Sequence, residues 1–265
     1  MTMTLSTPMP RRTRATEHRP EVPRATADLD IIIPALDEEH RIGDTIAAIC
    51  REVSGAPFSS RVVVVDNGSV DGTADTLDAV QCGIPVELIS RAEPGKGAAV
   101  RAGVLHSTAP VVAYCDADLS TPPSSLLGGM ELILEGWEAV IGSRRVEGAE
   151  IAVPQGLVRR VGSRAFNRAA SGIVGSMSDT QCGFKMLDGD LGRRMFGHMQ
   201  LTSYAFDVEL IARLLAHEAR MVEMPITWSN DEGTRLRVVG DGARAFRDLY
   251  RVRQVLRHEG LDRSA

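Results

Sequence analysis

Val111–Pro123 reads VVAYCDADLSTPP. Val111–Cys115 is a short apolar run of the kind that makes a buried strand. The run ends abruptly in Asp116-Ala117-Asp118. Thr121, Pro122 and Pro123 then stop the strand, and a proline suits the first turn of a following helix. Carboxylates at i and i+2 share one face of an extended chain, so at a strand end they can converge on one cation. Oxygen donors of this kind suit a hard ion, Mg²⁺ or Mn²⁺, that also takes substrate phosphates. Alone, the triplet is a weak signal and reads more readily as a solvated acidic turn. The sequence on either side decides between the two.

Upstream, Leu29–Pro34 (LDIIIP) and Arg61–Asp66 (RVVVVD) are β-branched runs of the kind buried on both faces of a sheet. After the first come Asp37, Glu38 and Glu39, then Ile42, Ile46, Ile49 and Val53 at helical spacing. After the second comes the turn Asp66-Asn67-Gly68-Ser69, and Asp71-Gly72-Thr73 opens a helix through Val80. Val86–Ile89 is a third strand, Pro94–Gly97 a turn and Ala98–His106 a helix. Downstream, Leu126–Glu135 reads as a helix and Ala139–Ile141 as a fifth strand. Alternation from Leu29 to Gly142 predicts a doubly wound, mostly parallel α/β sheet, whose ligands bind outside the carboxyl ends of the strands. Pro34–Glu39, Asp66–Ser69 and Asp116–Asp118 all fall at such ends, and three polar clusters on one rim favour the ligand reading.

The 265 residues suffice for one large domain or two small ones, and 43% hydrophobic content supplies a core. A net charge of −5 and 4% aromatics argue against nucleic-acid binding. Cys50, Cys82, Cys115 and Cys182 form no metal-ligand spacing and read as reduced thiols in a reducing, cytoplasmic setting. No apolar run approaches the roughly 18 residues of a membrane span. Residues 1–28 lack a signal-peptide core and read as a disordered tail, 29–232 as the folded α/β domain and 233–265 as a basic amphipathic C-terminal helix.

Gly95-Lys96-Gly97 resembles two phosphate loops and satisfies neither. A Walker A loop needs glycine at 90 and Ser or Thr at 97, where the chain has Ser90 and Gly97. A dinucleotide fingerprint needs a small residue at 100, where it has Val100. Lys96 therefore faces either a phosphate or solvent. Beyond Gly142 the alternation breaks down. Ser143–Arg164 carries Arg144, Arg145, Arg159, Arg160 and Arg164. Val158–Val174 reads as a helix, Asp179–Leu187 as turn then strand, Leu191–Met199 and Tyr204–His217 as helices, Met221–Trp228 as a strand and Asp241–His258 as the last helix.

The series IIIPALDEE, VVVVDNGSVDGT, PGKGAAVRAG, YCDADLSTP, VIGSRR and DTQCGFKML, in this order from about Asp30, resembles the family-2 glycosyltransferases of GT-A fold. Within them it is most similar to the dolichyl- or polyprenyl-phosphate sugar synthases of glucosyl-transferring type. The resemblance implies a nucleotide-sugar donor, UDP-glucose by preference, a divalent metal (Mg²⁺ or Mn²⁺) and inversion at the anomeric carbon. It places Pro34, Leu36 and Glu38 or Glu39 at the nucleoside, Asp66 at the base or ribose with Lys96 nearby, and Asp116 and Asp118 on the metal. It puts Asp179, Gln181 and Lys185 on the acceptor side. The sequence lacks the ED pair that serves as base in many hydroxyl-acceptor relatives, which favours a phosphate acceptor.

An attacking hydroxyl needs a general base. A phosphate monoester does not, since its second pKa of about 6 leaves it largely dianionic at pH 7. It needs cations instead, and Arg144, Arg160 and Lys185 are the candidates. In the last helix, Phe246, Leu249, Tyr250 and Leu256 fall near one face among arginines. Such a helix either lies on an anionic membrane, at its inner face, or packs on its own domain. Two further readings stay open: a soluble sugar or phosphorylated small-acid acceptor, and a silent nucleotide-sugar-binding module.

Overall fold

A computed structural model describes residues 27–91, 95–151, 157–175, 177–228 and 238–261. The first half alternates as the sequence predicts: β1 (Leu29–Ala35), α1 (Ile42–Val53), β2 (Ser60–Asp66), α2 (Thr73–Asp78), β3 (Val86–Ser90), α3 (Lys96–His106), β4 (Val111–Tyr114), α4 (Ser125–Leu134) and β5 (Ala139–Ser143). The second half adds β6 (Glu150–Ile151), α5 (Leu157–Val174), β7 (Lys185–Asp188), α6 (Gly189–His198), α7 (Phe206–Ala216), β8 (Met221–Pro225), β9 (Thr227–Trp228) and α8 (Val238–His258).

Seven strands form one sheet in the order β3-β2-β1-β4-β7-β5-β8. All neighbours run parallel except β7, which is antiparallel to both β4 and β5. β6 and β9 make a separate two-stranded ribbon. The expected strand Met221–Trp228 is thus divided: its first part closes the main sheet and its last two residues pair with β6.

Successive strand residues point to opposite faces, which explains the unbroken apolar runs. Ile32, Val63, Val65, Val112 and Tyr114 pack on one face with α3, α6, α7 and α8. Ile31, Ile33, Val62 and Val64 pack on the other with α1 and α4. The last helix, set apart at 233–265 in the sequence reading, joins the first of these clusters through Leu249, Val252 and Leu256, all buried.

Of the tail read over residues 1–28, residues 1–26 lie outside the described residues. Ala27 is buried, and Asp28 accepts hydrogen bonds from the Ser59 amide (2.8 Å) and hydroxyl (2.7 Å). The cysteine expectation needs correction. Cys50 of α1 and Cys82 form a disulfide, their Cα atoms 5.7 Å apart, while Cys115 and Cys182 are free and buried. No CxxC spacing announced the pair, because the fold brings together residues 32 apart in sequence. Among the described residues, no helix is long and apolar enough to cross a membrane.

Candidate active site

The carboxyl ends of β1, β2 and β4 lie side by side, so their exit loops share one rim. The first two loops are stitched together. Asp37 donates its amide to Ser69 Oγ (2.9 Å) and accepts from the Val70 amide (2.9 Å). Glu38 donates its amide to Thr73 Oγ1, and the Glu39 carboxylate accepts from the Gly72 amide at 2.7 Å. Asn67 donates to the Ala35 carbonyl (2.9 Å). Asp66 is buried and accepts from the Ser69 amide at 2.9 Å. Pro34 is half-buried and Leu36 exposed on the same rim. Two non-glycine residues here adopt left-handed backbone, Asp37 (φ 53°) and Leu119 (φ 54°). Such conformations cost about 1–3 kcal/mol and concentrate at ligand sites.

The third loop carries the acid pair. Thr45 of α1 donates to the Ala117 carbonyl (2.6 Å, buried), which fixes the turn between the two aspartates. Asp118 is half-buried and accepts from the Ser120 amide at 2.9 Å. The Asp116 carboxylate, 33% exposed, pairs with the Lys96 ammonium. Burial opposes the charge on Lys96, but the Asp116 and then the Asp207 carboxylate outweigh it and hold its pKa above the ordinary lysine value. Between strand and acid pair, Cys115 is pushed up to about 12 by burial, then by Asp116 and Asp118. Burial and the two carboxylates thus favour the neutral thiol over the thiolate.

The glycines of the Gly95-Lys96-Gly97 turn have a packing reason. Gly95 has φ 126°, and a Cβ there would run into the Thr202 carbonyl. A Cβ on Gly97 would lie 2.8 Å from Cβ of Phe206 and 2.9 Å from the Leu201 carbonyl. The Gly97 amide donates to the Thr202 carbonyl at 2.9 Å. Segment 201–206 thus clamps the turn, and Glu209 of α7 holds that segment by accepting from the amides of Gln200 and Leu201.

The segment DTQCGFK does two jobs. Asp179 is fully buried and takes the Arg144 guanidinium through two bonds, Nε to Oδ2 (2.6 Å) and Nη2 to Oδ1 (2.9 Å). Burial works to raise the Asp179 pKa, and Arg144 more than reverses this, leaving it below the usual carboxylate range. The guanidinium also lies over the Trp228 ring, 5.5 Å from its centroid. Further along, Gly183 packs directly against the Asp116 carboxylate.

Two expectations need correction. Lys185, expected to clamp the acceptor, is fully buried. Its ammonium bonds Asp207 Oδ1 (2.6 Å) and the Cys182 carbonyl (2.8 Å) and lies 5.4 Å from the Tyr114 ring centroid. A cation so enclosed positions the segment. Asp179 likewise is fully buried and committed to Arg144. Gln181 is half-buried beside them. The Arg160 side chain lies outside the described residues, as do those of Arg159 and Arg164.

The sequence reading missed Asp207 and Tyr114 as parts of the site. Asp207 accepts from the Tyr114 hydroxyl at 2.6 Å as well as from Lys185. Their signal was present: Asp207 and Glu209 are acids in the otherwise apolar start of α7, FDVELIARLLA, and a buried acid needs partners. Among the described residues no group of three or more His, Cys, Asp or Glu could cage a metal. Two aspartates on an open rim nevertheless fit Mg²⁺ or Mn²⁺, which bind through one or two carboxylates and complete their shell with substrate phosphates and water.

A mostly parallel sheet with an acid pair at the carboxyl end of β4, opposite a buttressed arginine, defines a glycosyltransferase of GT-A architecture. Residues 30–186 match the family described as Glycosyl transferase family 2, and the chain belongs to that family. It is 29% identical over 222 residues to a dolichyl-phosphate beta-glucosyltransferase of Trichomonas vaginalis, covering 79% of this chain and 66% of that one. It is also 29% identical over 228 residues to a dolichyl-phosphate hexose transferase of Haloferax volcanii, covering 85% and 93%. Its fold matches crystal structures of glucosyl-3-phosphoglycerate synthase from Mycobacterium tuberculosis. The complex with UDP gives TM-score 0.66 at 18% identity, covering 89% of this chain and 81% of that one. The complex with Mn²⁺, UDP and glucosyl-3-phosphoglycerate gives 0.65 at 17%, covering 86% and 78%.

Proposed function

We propose that this chain moves a hexose, glucose by preference, from a nucleotide-sugar donor, UDP-glucose by preference, to a polyprenyl phosphate. The observation that carries the reading is the coupling of two opposite half-sites by one short segment. Asp179 buttresses Arg144, and Gly183, four residues on, abuts Asp116. Four residues span at most about 14 Å. The Asp116 charge also acts on Arg144 directly, and a cationic clamp beside a carboxylate pair suits two phosphorylated substrates meeting over one bond.

In this reading Pro34, Leu36, Glu38 or Glu39 and Asp66 form the nucleoside side, Lys96 faces the donor diphosphate, and Asp116 and Asp118 hold Mg²⁺ or Mn²⁺. When bound, the cation neutralises charge developing on the departing nucleoside diphosphate. Arg144 keeps Nη1 free of partners among the described residues and orients the acceptor phosphate. An acceptor oxygen attacks the anomeric carbon from the face opposite the leaving group. The bond from that carbon to the donor's phosphate oxygen breaks, its electron pair leaves with the nucleoside diphosphate, and configuration inverts. No general base is required, because the acceptor arrives as a dianion. The homologues named above that act on dolichyl phosphate support a lipid acceptor.

A peripheral membrane contact fits the outer face of α8. Phe246 (45%) and Tyr250 (62%) are exposed beside the exposed Arg247 and Arg251. Leu249, expected on that surface, is buried in the core instead. The test offers the purified protein UDP-glucose with either a short-chain polyprenyl phosphate or soluble sugars and phosphorylated acids. Transfer to the lipid phosphate, at a rate that climbs through about pH 6, is expected. Transfer only to a soluble acceptor overturns the lipid assignment.

A further inference from the structure

We infer that Lys96 is an exchangeable counter-ion for Asp116: in the donor-free protein its ammonium occupies the carboxylate that a divalent cation must take, so cation and donor enter as a unit. The inference rests on the reading of Asp116 and Asp118 as metal ligands.

Three observations carry it. First, the pair is made by placement. Both glycines beside Lys96 lie hard against segment 201–206, so the turn has no room to carry the ammonium elsewhere by backbone movement. Second, Asp116 is flanked on one side by the backbone of Gly183, which leaves the carboxylate no room to turn that way from Lys96. Third, the surroundings nearly balance charge without a metal. Asp116, Asp118 and Asp207 carry three negative charges, Lys96 and Lys185 two positive ones, so only one negative charge is left over, and Tyr114 ties the set to β4 through its bond to Asp207. A divalent cation arriving alone would compete with an ammonium already seated and leave the cluster with one excess positive charge. A cation arriving with a nucleoside diphosphate brings compensating negative charge. Lys96 then exchanges the Asp116 carboxylate for a donor phosphate oxygen, a short motion for a flexible side chain, and Asp207 remains its second electrostatic partner. Binding of cation and donor is then reciprocally coupled.

The assay is Mn²⁺ binding without nucleotide, read from the loss of the free-ion electron paramagnetic resonance signal, on wild type, Lys96→Met and Lys96→Arg, with circular dichroism to check folding. Lys96→Met is expected to bind Mn²⁺ more tightly, by roughly 5- to 150-fold, the usual span of a coupling between sites. Lys96→Arg is expected to bind it no better than wild type, since a guanidinium still occupies Asp116. With UDP present the order reverses, and Lys96→Met binds the Mn²⁺–UDP pair more weakly than wild type. Unchanged or weaker metal-only binding by folded Lys96→Met overturns the exchange while leaving the metal site in place. Should Lys96→Met not fold, tighter metal-only binding by Lys96→Arg overturns it. No Mn²⁺ binding by any of the three, with or without UDP, overturns the metal reading itself.

Discussion

Gly183→Ala isolates the contact between the DTQCGFK segment and the acid pair. Gly183 does not need glycine for its backbone, since its φ lies outside the left-handed range. It needs glycine for space. A methyl there would sit 2.6 Å from Cγ of Asp116, and closer to Oδ2. Carbon atoms in contact prefer about 3.5–4.0 Å, so the carboxylate must move by about 1 Å. The fold can absorb this, because the displaced atoms end a short side chain that is one-third exposed. Overpacking of this kind costs about 1–3 kcal/mol. The chemistry is less forgiving. A misplacement of about 1 Å costs on the order of 10²-fold in rate, or about 2.7 kcal/mol in barrier. The assay compares kcat for sugar transfer and the urea midpoint. Gly197→Ala in α6 is the control, since nothing lies within 4 Å of its added methyl. It should leave kcat alone and stabilise slightly. A folded Gly183→Ala protein with wild-type kcat would refute the proposed coupling.

Asp118→Ala is expected to abolish transfer while the melting temperature holds, because only a rim ligand is lost; full turnover of this variant after metal removal with EDTA would defeat the metal assignment. Lys185→Met should cost about 3–5 kcal/mol in urea unfolding, since Asp207 stays buried without its closest cation; an unchanged midpoint would show that the pair does not matter. Asp179 has a lowered folded pKa, so its pair with Arg144 contributes full stability above the unfolded carboxylate value of about 3.9 and loses it as pH falls through the folded value. The stability gap between wild type and Asp179→Asn should therefore narrow on acidification, and a gap that widens would contradict this. Alkylation of unfolded, unreduced protein should modify Cys115 and Cys182 only, and reduction of the Cys50–Cys82 bond should lower stability by about 2–4 kcal/mol; four reactive thiols would refute the disulfide.

The sequence alone determined the alternating strands and helices of the first half and the rim at their ends, but not β6 or the division of Met221–Trp228 into β8 and β9. Runs such as LDIIIP and RVVVVD are legible because burial on both faces removes polar alternation. The rim positions of Asp66 and Asp116 were legible because a polar residue ending such a run must emerge at a carboxyl end. Partners were not legible. Apolar periodicity says that a residue is buried but not against what. Antiparallel β7 enters between β4 and β5, and this brings Gly183 to Asp116 and Lys185 to Asp207. The same arrangement turns Lys185 from an expected ligand clamp into a buried structural cation, and Asp179 into the holder of Arg144. Lys96 reached Asp116, and Cys50 reached Cys82, through contacts across the chain that only tertiary packing creates. A charge's role depends on the charges and solvent around it, and those are set by the fold.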